Sequence, residues 1–137
     1  MVVVDASVLA PALADDGPDG VLARRRLRGE ILLAPALVDL EVASVLRTAH
    51  RAGRLTDMRA RQAMADLRAL PLHRTWHREL LARIWALRAN VTAYDAAYVA
   101  LAEICKATLL TADVRLARAS GPRCNIEVLA APEPAAR

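Results

Sequence analysis

Residues 1–7 read Met1-Val2-Val3-Val4-Asp5-Ala6-Ser7, a β-branched run that stops at an aspartate where a helical pattern begins. Apolar residues at successive rather than alternate positions suit a strand covered on both faces, as in a parallel sheet with helices on either side. Asp5 then stands at the carboxyl end of a central strand, the edge where open α/β sheets bind ligands. An aspartate there also suits the N-cap of the helix that follows, and both readings stand at this point.

Outward from this stretch the pattern alternates. Residues 6–14 are apolar and helical, with Pro11 expected to kink or break the helix. Turn residues fill 15–20, and a basic helix is expected from Val21 to Gly29, whose glycine suits a C-terminal stop. Ile31-Leu32-Leu33, ended by Pro35, reads as a second strand. Residues 37–52 carry a helical stripe of Val38, Val42, Val45, Leu46 and Ala49, closed by Gly53. Thr56 is the expected N-cap of a helix to Leu70, Leu72-His73-Arg74 is a weak third strand, and residues 77–89 form an amphipathic helix through Leu80, Leu81, Ile84 and Leu87. From Thr92 to Cys105 the chain is apolar on nearly every side, so that helix must be largely buried. Thr108-Leu109-Leu110 and Ile126-Glu127-Val128 complete the strands, with a short helix after Asp113. The alternation is that of βαβ units, in one domain over 1–129 with a flexible tail over 130–137.

The chain has 137 residues, 55% of them hydrophobic, enough for one core that buries about two-thirds of the unfolded surface. With no Phe, that core must be built from small aliphatic side chains. No stretch is apolar for long enough to span a membrane and no signal-peptide pattern is present, so a cytoplasmic protein is expected. Cys105 and Cys124 form no CxxC pair, which argues against zinc or a disulfide framework. The net charge is +4, carried almost wholly by arginine, with Lys106 the only lysine. A basic domain without a membrane signal favours a nucleic-acid partner, although GC-rich coding produces the same bias.

Four acids sit where acids need a reason. Asp5 and Asp113 follow buried strands, Asp95 lies in the first turn of the most apolar helix, and Glu41 borders the buried stripe of its own helix. Each has a local alternative: Asp113 as a cap, Thr92-Ala93-Tyr94-Asp95 as a capping box, Glu41 as a half-buried surface residue. Brought together, such carboxylates repel and resist ionisation unless a cation sits among them. Hard oxygen donors without histidine or thiolate suit Mg²⁺, with Mn²⁺ as a substitute.

These residues lie in stretches that resemble the PIN-domain ribonucleases: Val2-Val3-Val4-Asp5-Ala6-Ser7, Leu40-Glu41-Val42, the run from Thr92 to Glu103, and Leu110-Thr111-Ala112-Asp113 with Leu116-Ala117. Within that family the chain is most similar to the VapC toxins of bacterial toxin–antitoxin pairs. The resemblance covers Met1 to about Val128, and its most specific segment runs from Thr92 to Glu103. It implies an α/β/α sandwich on a five-stranded parallel sheet and a Mg²⁺-dependent endoribonuclease, a hydrolase of RNA phosphodiester bonds. It assigns Asp5, Glu41, Asp95 and Asp113 to the acid pocket, with the metal on Asp5, Asp95 and Asp113 and with Ser7 and Thr111 in support. Ser44, a further supporting residue, stands where many relatives have asparagine. A VapB-type antitoxin, a homodimer and a hetero-oligomer with the antitoxin are implied as partners. The contrasting reading is a PIN-like module that binds RNA or a partner without chemistry, and the complete acid set argues against it.

Other signals are weaker. Arg24, Arg25, Arg26 and Arg28 read either as a phosphate track or as a solvated helix face. The small aromatic count predicts little base-stacking surface. His73 and His77 have a metal-like spacing but no third ligand. A phosphoaspartyl transferase would want Asp at position 7, where Ser stands, and Lys106 precedes a strand where a receiver domain would want its lysine late in the sheet.

Overall fold

The computed structural model describes residues 1–130, so residues 131–137, most of the expected tail, lie outside it. Five strands form one all-parallel sheet in the order β3-β2-β1-β4-β5. They are β1 (Val2–Val4), β2 (Leu32–Pro35), β3 (Leu72–Thr75), β4 (Thr108–Thr111) and β5 (Ile126–Val128). β1 is central and wholly buried, as its unbroken apolar run requires. The helices are α1 (Ala6–Ala14), α2 (Pro18–Leu27), α3 (Val38–Arg51), α4 (Asp57–Ala69), α5 (Leu81–Ala86), α6 (Ala93–Cys105) and α7 (Val114–Arg118). Among the described residues no helix is long and apolar enough to cross a membrane.

Strand order positions the site. The chain leaves β1 towards β2 and β3 on one side and returns to the other side as β4, so the connections diverge between β1 and β4. A crevice opens at the carboxyl ends of two neighbouring parallel strands where connections diverge in this way. The Asp5 N–H bonds the Leu110 carbonyl at 3.0 Å across that point.

Several boundaries differ from the sequence expectation. Helix α1 runs through Pro11. Helix α2 begins at Pro18, not Val21: proline costs nothing in a first turn, where its missing N–H has no partner to lose. Gly20, buried in α2, sits so close to the Asp15 carbonyl that a Cβ would lie 1.8 Å from it, so only glycine fits there. Pro35 belongs to β2, where it pairs only with Thr75 of β3 because β1 pairs no further along β2 than Leu33.

The expected helix over 77–89 is instead a 3-10 turn, Arg78–Leu80, followed by the six residues of α5. Only Leu80 and Leu87 are fully anchored, while Leu81 is exposed. In α3, Val38, Val42 and Leu46 face the core at four-residue steps, but Val45 falls on the flank and is exposed. Thr56 and Thr92 cap α4 and α6 as expected, accepting the N–H groups of Arg59 and Asp95.

Candidate active site

At the end of β1, Asp5 is buried. Its carbonyl accepts the Val8 and Leu9 N–H groups, but its carboxylate makes no cap bond to α1, so the N-cap alternative fails. The carboxylate faces β4 instead. Oδ2 accepts the hydroxyls of Ser7 at 2.9 Å and Thr111 at 2.7 Å, which leaves Oδ1 clear of both. The two hydroxyls are themselves fixed by the turn after β4: the Ala112 N–H donates to Ser7 Oγ at 2.9 Å and the Asp113 N–H to Thr111 Oγ1 at 3.0 Å. Ser7 and Thr111 thus both donate to the same oxygen of Asp5, and a local turn at Thr111 orients Asp113.

Asp113 serves both readings. Its Oδ1 accepts the Arg115 N–H at 2.9 Å and caps α7, while the charge acts on Asp95. Asp95, in the first turn of α6, is held above the usual carboxylate range by burial and then by the charges of Asp5 and Asp113. The Thr92 hydroxyl and Arg115 pull the other way. Glu41, in the first turn of α3, is also raised, chiefly by burial and further by the charges of Asp5 and Asp95, while a hydrogen bond from Tyr98 works against the rise. Four elements far apart in sequence therefore bring four carboxylates into one field.

No three His, Cys, Asp or Glu side chains among the described residues stand close enough to grip one ion together. The donor chemistry nevertheless suits a hard cation that keeps much of its own water and touches only one or two carboxylates, which is the habit of Mg²⁺. Ser7 and Ala112 also line a cavity of about 240 Å³ that reaches between α1 and α2 past Asp19 and Leu22.

The remaining expected residues are not part of this cluster. Ser44, one turn beyond Glu41, is exposed, and the bond found there is from the Thr48 hydroxyl to its carbonyl. In α2, Arg24 donates to the carbonyls of Ala12 and Asp15, and Arg26 bridges Glu30 and Glu127. Half of the arginine run is thus occupied in holding α2 to its neighbours. The zinc pairing fails, since His77 Nε2 accepts the Leu37 N–H at 3.1 Å at the start of α3.

The aromatic count misled in the other direction. Of four Trp and Tyr residues, Trp76, Trp85 and Tyr94 are exposed, Tyr94 beside Asp95 and Trp76 stacked on His77 at 5.2 Å. Sequence reasoning also passed over Tyr98. It lies three residues beyond Asp95, hence on the same helix face, and is the one polar side chain in the buried run Ala96–Ala102.

The β1–β4 crevice thus holds a hydroxyl-tethered aspartate with three further acids around it. A model of the PIN domain matches residues 2–122, and the chain belongs to the PIN-domain family. Within it the chain groups with the VapC ribonucleases. It is 43% identical to VapC ribonuclease Mb0985 of Mycobacterium bovis over 129 residues, covering 94% of this chain and 98% of that one. To ribonuclease VapC1 of Mycobacterium tuberculosis it is 41% identical, covering 93% and 96%. The fold is shared with the crystal structure of M. tuberculosis VapC20, described as a sarcin–ricin loop cleaving toxin, at a TM-score of 0.66 and 16% identity over 86% of this chain and 94% of that one.

Proposed function

We propose that this protein is a Mg²⁺-dependent endoribonuclease, the toxin of a toxin–antitoxin pair, acting in the cytoplasm. The observation that carries the reading is the acid cluster: Glu41 and Asp95 are held above their ordinary range by burial and by neighbouring carboxylates, in a chain that groups with the VapC ribonucleases. Mutual repulsion of this kind raises affinity for a cation.

Asp5, Asp95 and Asp113 would hold the ion, directly or through water, with Mn²⁺ as a substitute. When bound, it would supply charge neutralisation at the scissile phosphate and greater acidity of the attacking water. Ser7 and Thr111 keep Asp5 turned towards the crevice by donating to one oxygen only. Glu41, across the cluster on α3, orients the water for in-line attack and takes up its proton. Its raised pKa makes it a better acceptor than an ordinary surface carboxylate. The products would be 5′-phosphate and 3′-hydroxyl ends.

The same reading brings a VapB-type antitoxin whose basic side chain enters among the acids, and a homodimer that assembles with it. The direct test is incubation of purified, antitoxin-free protein with total cellular RNA, with Mg²⁺ and with excess EDTA. Discrete fragments are expected only with the metal; undiminished cleavage in EDTA would sink the reading.

A further inference from the structure

Tyr98 is the only one of the four aromatic residues that is fully buried, and the chain has no Phe. It lies in a helix otherwise packed with Ala, Val and Leu. Phe would fill that space without carrying a hydroxyl out of water, a cost that must be met by a partner. The partner is Glu41. The phenol donates to its Oε1 at 2.6 Å. That one bond ties α6 to α3 beside the acid cluster.

Glu41 needs such a tether. Its side chain has several free torsions, and the charges of Asp5 and Asp95 push it outwards. A hydrogen bond to an ionised acceptor is among the stronger ones available. Burial and the Glu41 carboxylate both push the Tyr98 pKa far up, so the phenol keeps its proton and donates permanently. That excludes it as an acid or base and leaves a geometric role.

We propose that Tyr98 is the positioning residue of the acid site: its buried hydroxyl holds the Glu41 carboxylate inward, facing Asp5 and Asp95, in the orientation from which it acts on the attacking water. The proposal rests on the functional reading above for the action of Glu41, but not for its position.

The test is Tyr98→Phe, which keeps the ring and removes one oxygen. Expected is a fall in kcat of about ten- to a hundredfold with KM changed less than about twofold, at an unchanged folded fraction. In a Glu41→Ala background the same substitution should cost less than about twofold, since a residue acting only through Glu41 has nothing left to act on. In the metal-free protein, the side-chain carboxyl ¹³C resonance of Glu41, assigned from Glu41→Ala, should move in Tyr98→Phe.

Unchanged kcat per folded molecule overturns the proposal, as does an equal loss in both backgrounds, which would make Tyr98 a packing residue. If the wild-type protein cuts no RNA, that failure belongs to the functional reading, and the resonance decides alone: a Glu41 carboxyl indifferent to the phenol overturns the positioning role.

Discussion

Two neighbouring acids on α3 meet opposite fates. Asp39 accepts from Nε and Nη2 of the Arg74 guanidinium, at 2.7 and 2.9 Å. Two residues on, Glu41 receives a neutral phenol and faces other carboxylates. The contrast extends across the molecule. Away from the crevice, several acids are neutralised by cations: Glu30 by Arg26 and the N-terminus, Glu127 by Arg26, Asp57 by Arg61, Glu103 by Arg83. Glu30, Asp57 and Glu103 are accordingly held below the ordinary carboxylate range, mainly by these hydrogen bonds. At the crevice, the one ion pair among the described residues is Arg115 to Asp113 at 3.8 Å, on an almost fully exposed arginine side chain, and Glu41 and Asp95 are raised. What sets the crevice acids apart is that they are partly buried beside one another with no cationic side chain of the described residues between Asp5, Glu41 and Asp95, as a site for an external cation requires.

The largest effect expected from this division is catalytic. Asp5→Asn keeps the shape and the Ser7 and Thr111 bonds but removes the charge, and should lower RNA cleavage at least about a hundredfold, since the charge stabilisation an ion provides is worth several kcal/mol. Glu103→Gln, which breaks a paired acid, should cost about 1 kcal/mol of stability once solvent screening is allowed for, and leave cleavage per folded molecule unchanged. Equal losses of activity in the two variants would erase the distinction.

A smaller effect follows from protonation. Glu41 and Asp95 have raised folded-state pKa values, so between the unfolded and the folded pKa the native state binds more protons than the unfolded chain. Stability from these two groups is therefore greatest at low pH and falls as pH rises through the raised values. The paired acids act in the opposite sense, lending stability at higher pH that is lost on acidification. Glu41→Gln isolates the first group: without metal its Tm near neutrality should exceed that of the wild type by roughly 2–5 °C, with the gap closing near pH 4. Saturating Mn²⁺ should reverse the order at neutral pH. A wild type more stable than Glu41→Gln in EDTA at neutral pH would mean that the acids do not strain the fold.

The strand–helix alternation, the central place of β1 and the four acids were legible because each rests on local pattern: an unbroken apolar run, a helical stripe, an acid where none is needed. What local pattern cannot carry is partnership. The sequence allowed Asp5 to be a cap, and only the parallel pairing of Val4 with Leu110 turned its carboxylate towards Thr111, 106 residues away. The bond from Tyr98 to Glu41 spans 57 residues and was invisible for the same reason. The helix expected over 77–89 formed only in part, as a 3-10 turn and the short α5, because its apolar spacing said nothing about which leucines would find a core, and Leu81 found none.

The smallest effect concerns the arginine run, where paired and unpaired charge lie on one short helix. Arg26 is tied to Glu30 and Glu127, and Arg24 to two backbone carbonyls, so reversing either should loosen α2. Arg25 and Arg28 are exposed, with no ion pair among the described residues, and reversing both to Glu should shift stability by no more than about 0.5 kcal/mol. If the free pair meets phosphate, the double reversal raises KM for RNA and flattens its dependence on salt, because each lost phosphate contact removes about one released counterion. Were the Arg24 and Arg26 variants to weaken RNA binding while Arg25 and Arg28 left it unchanged, α2 would act on RNA only by holding its neighbours in place.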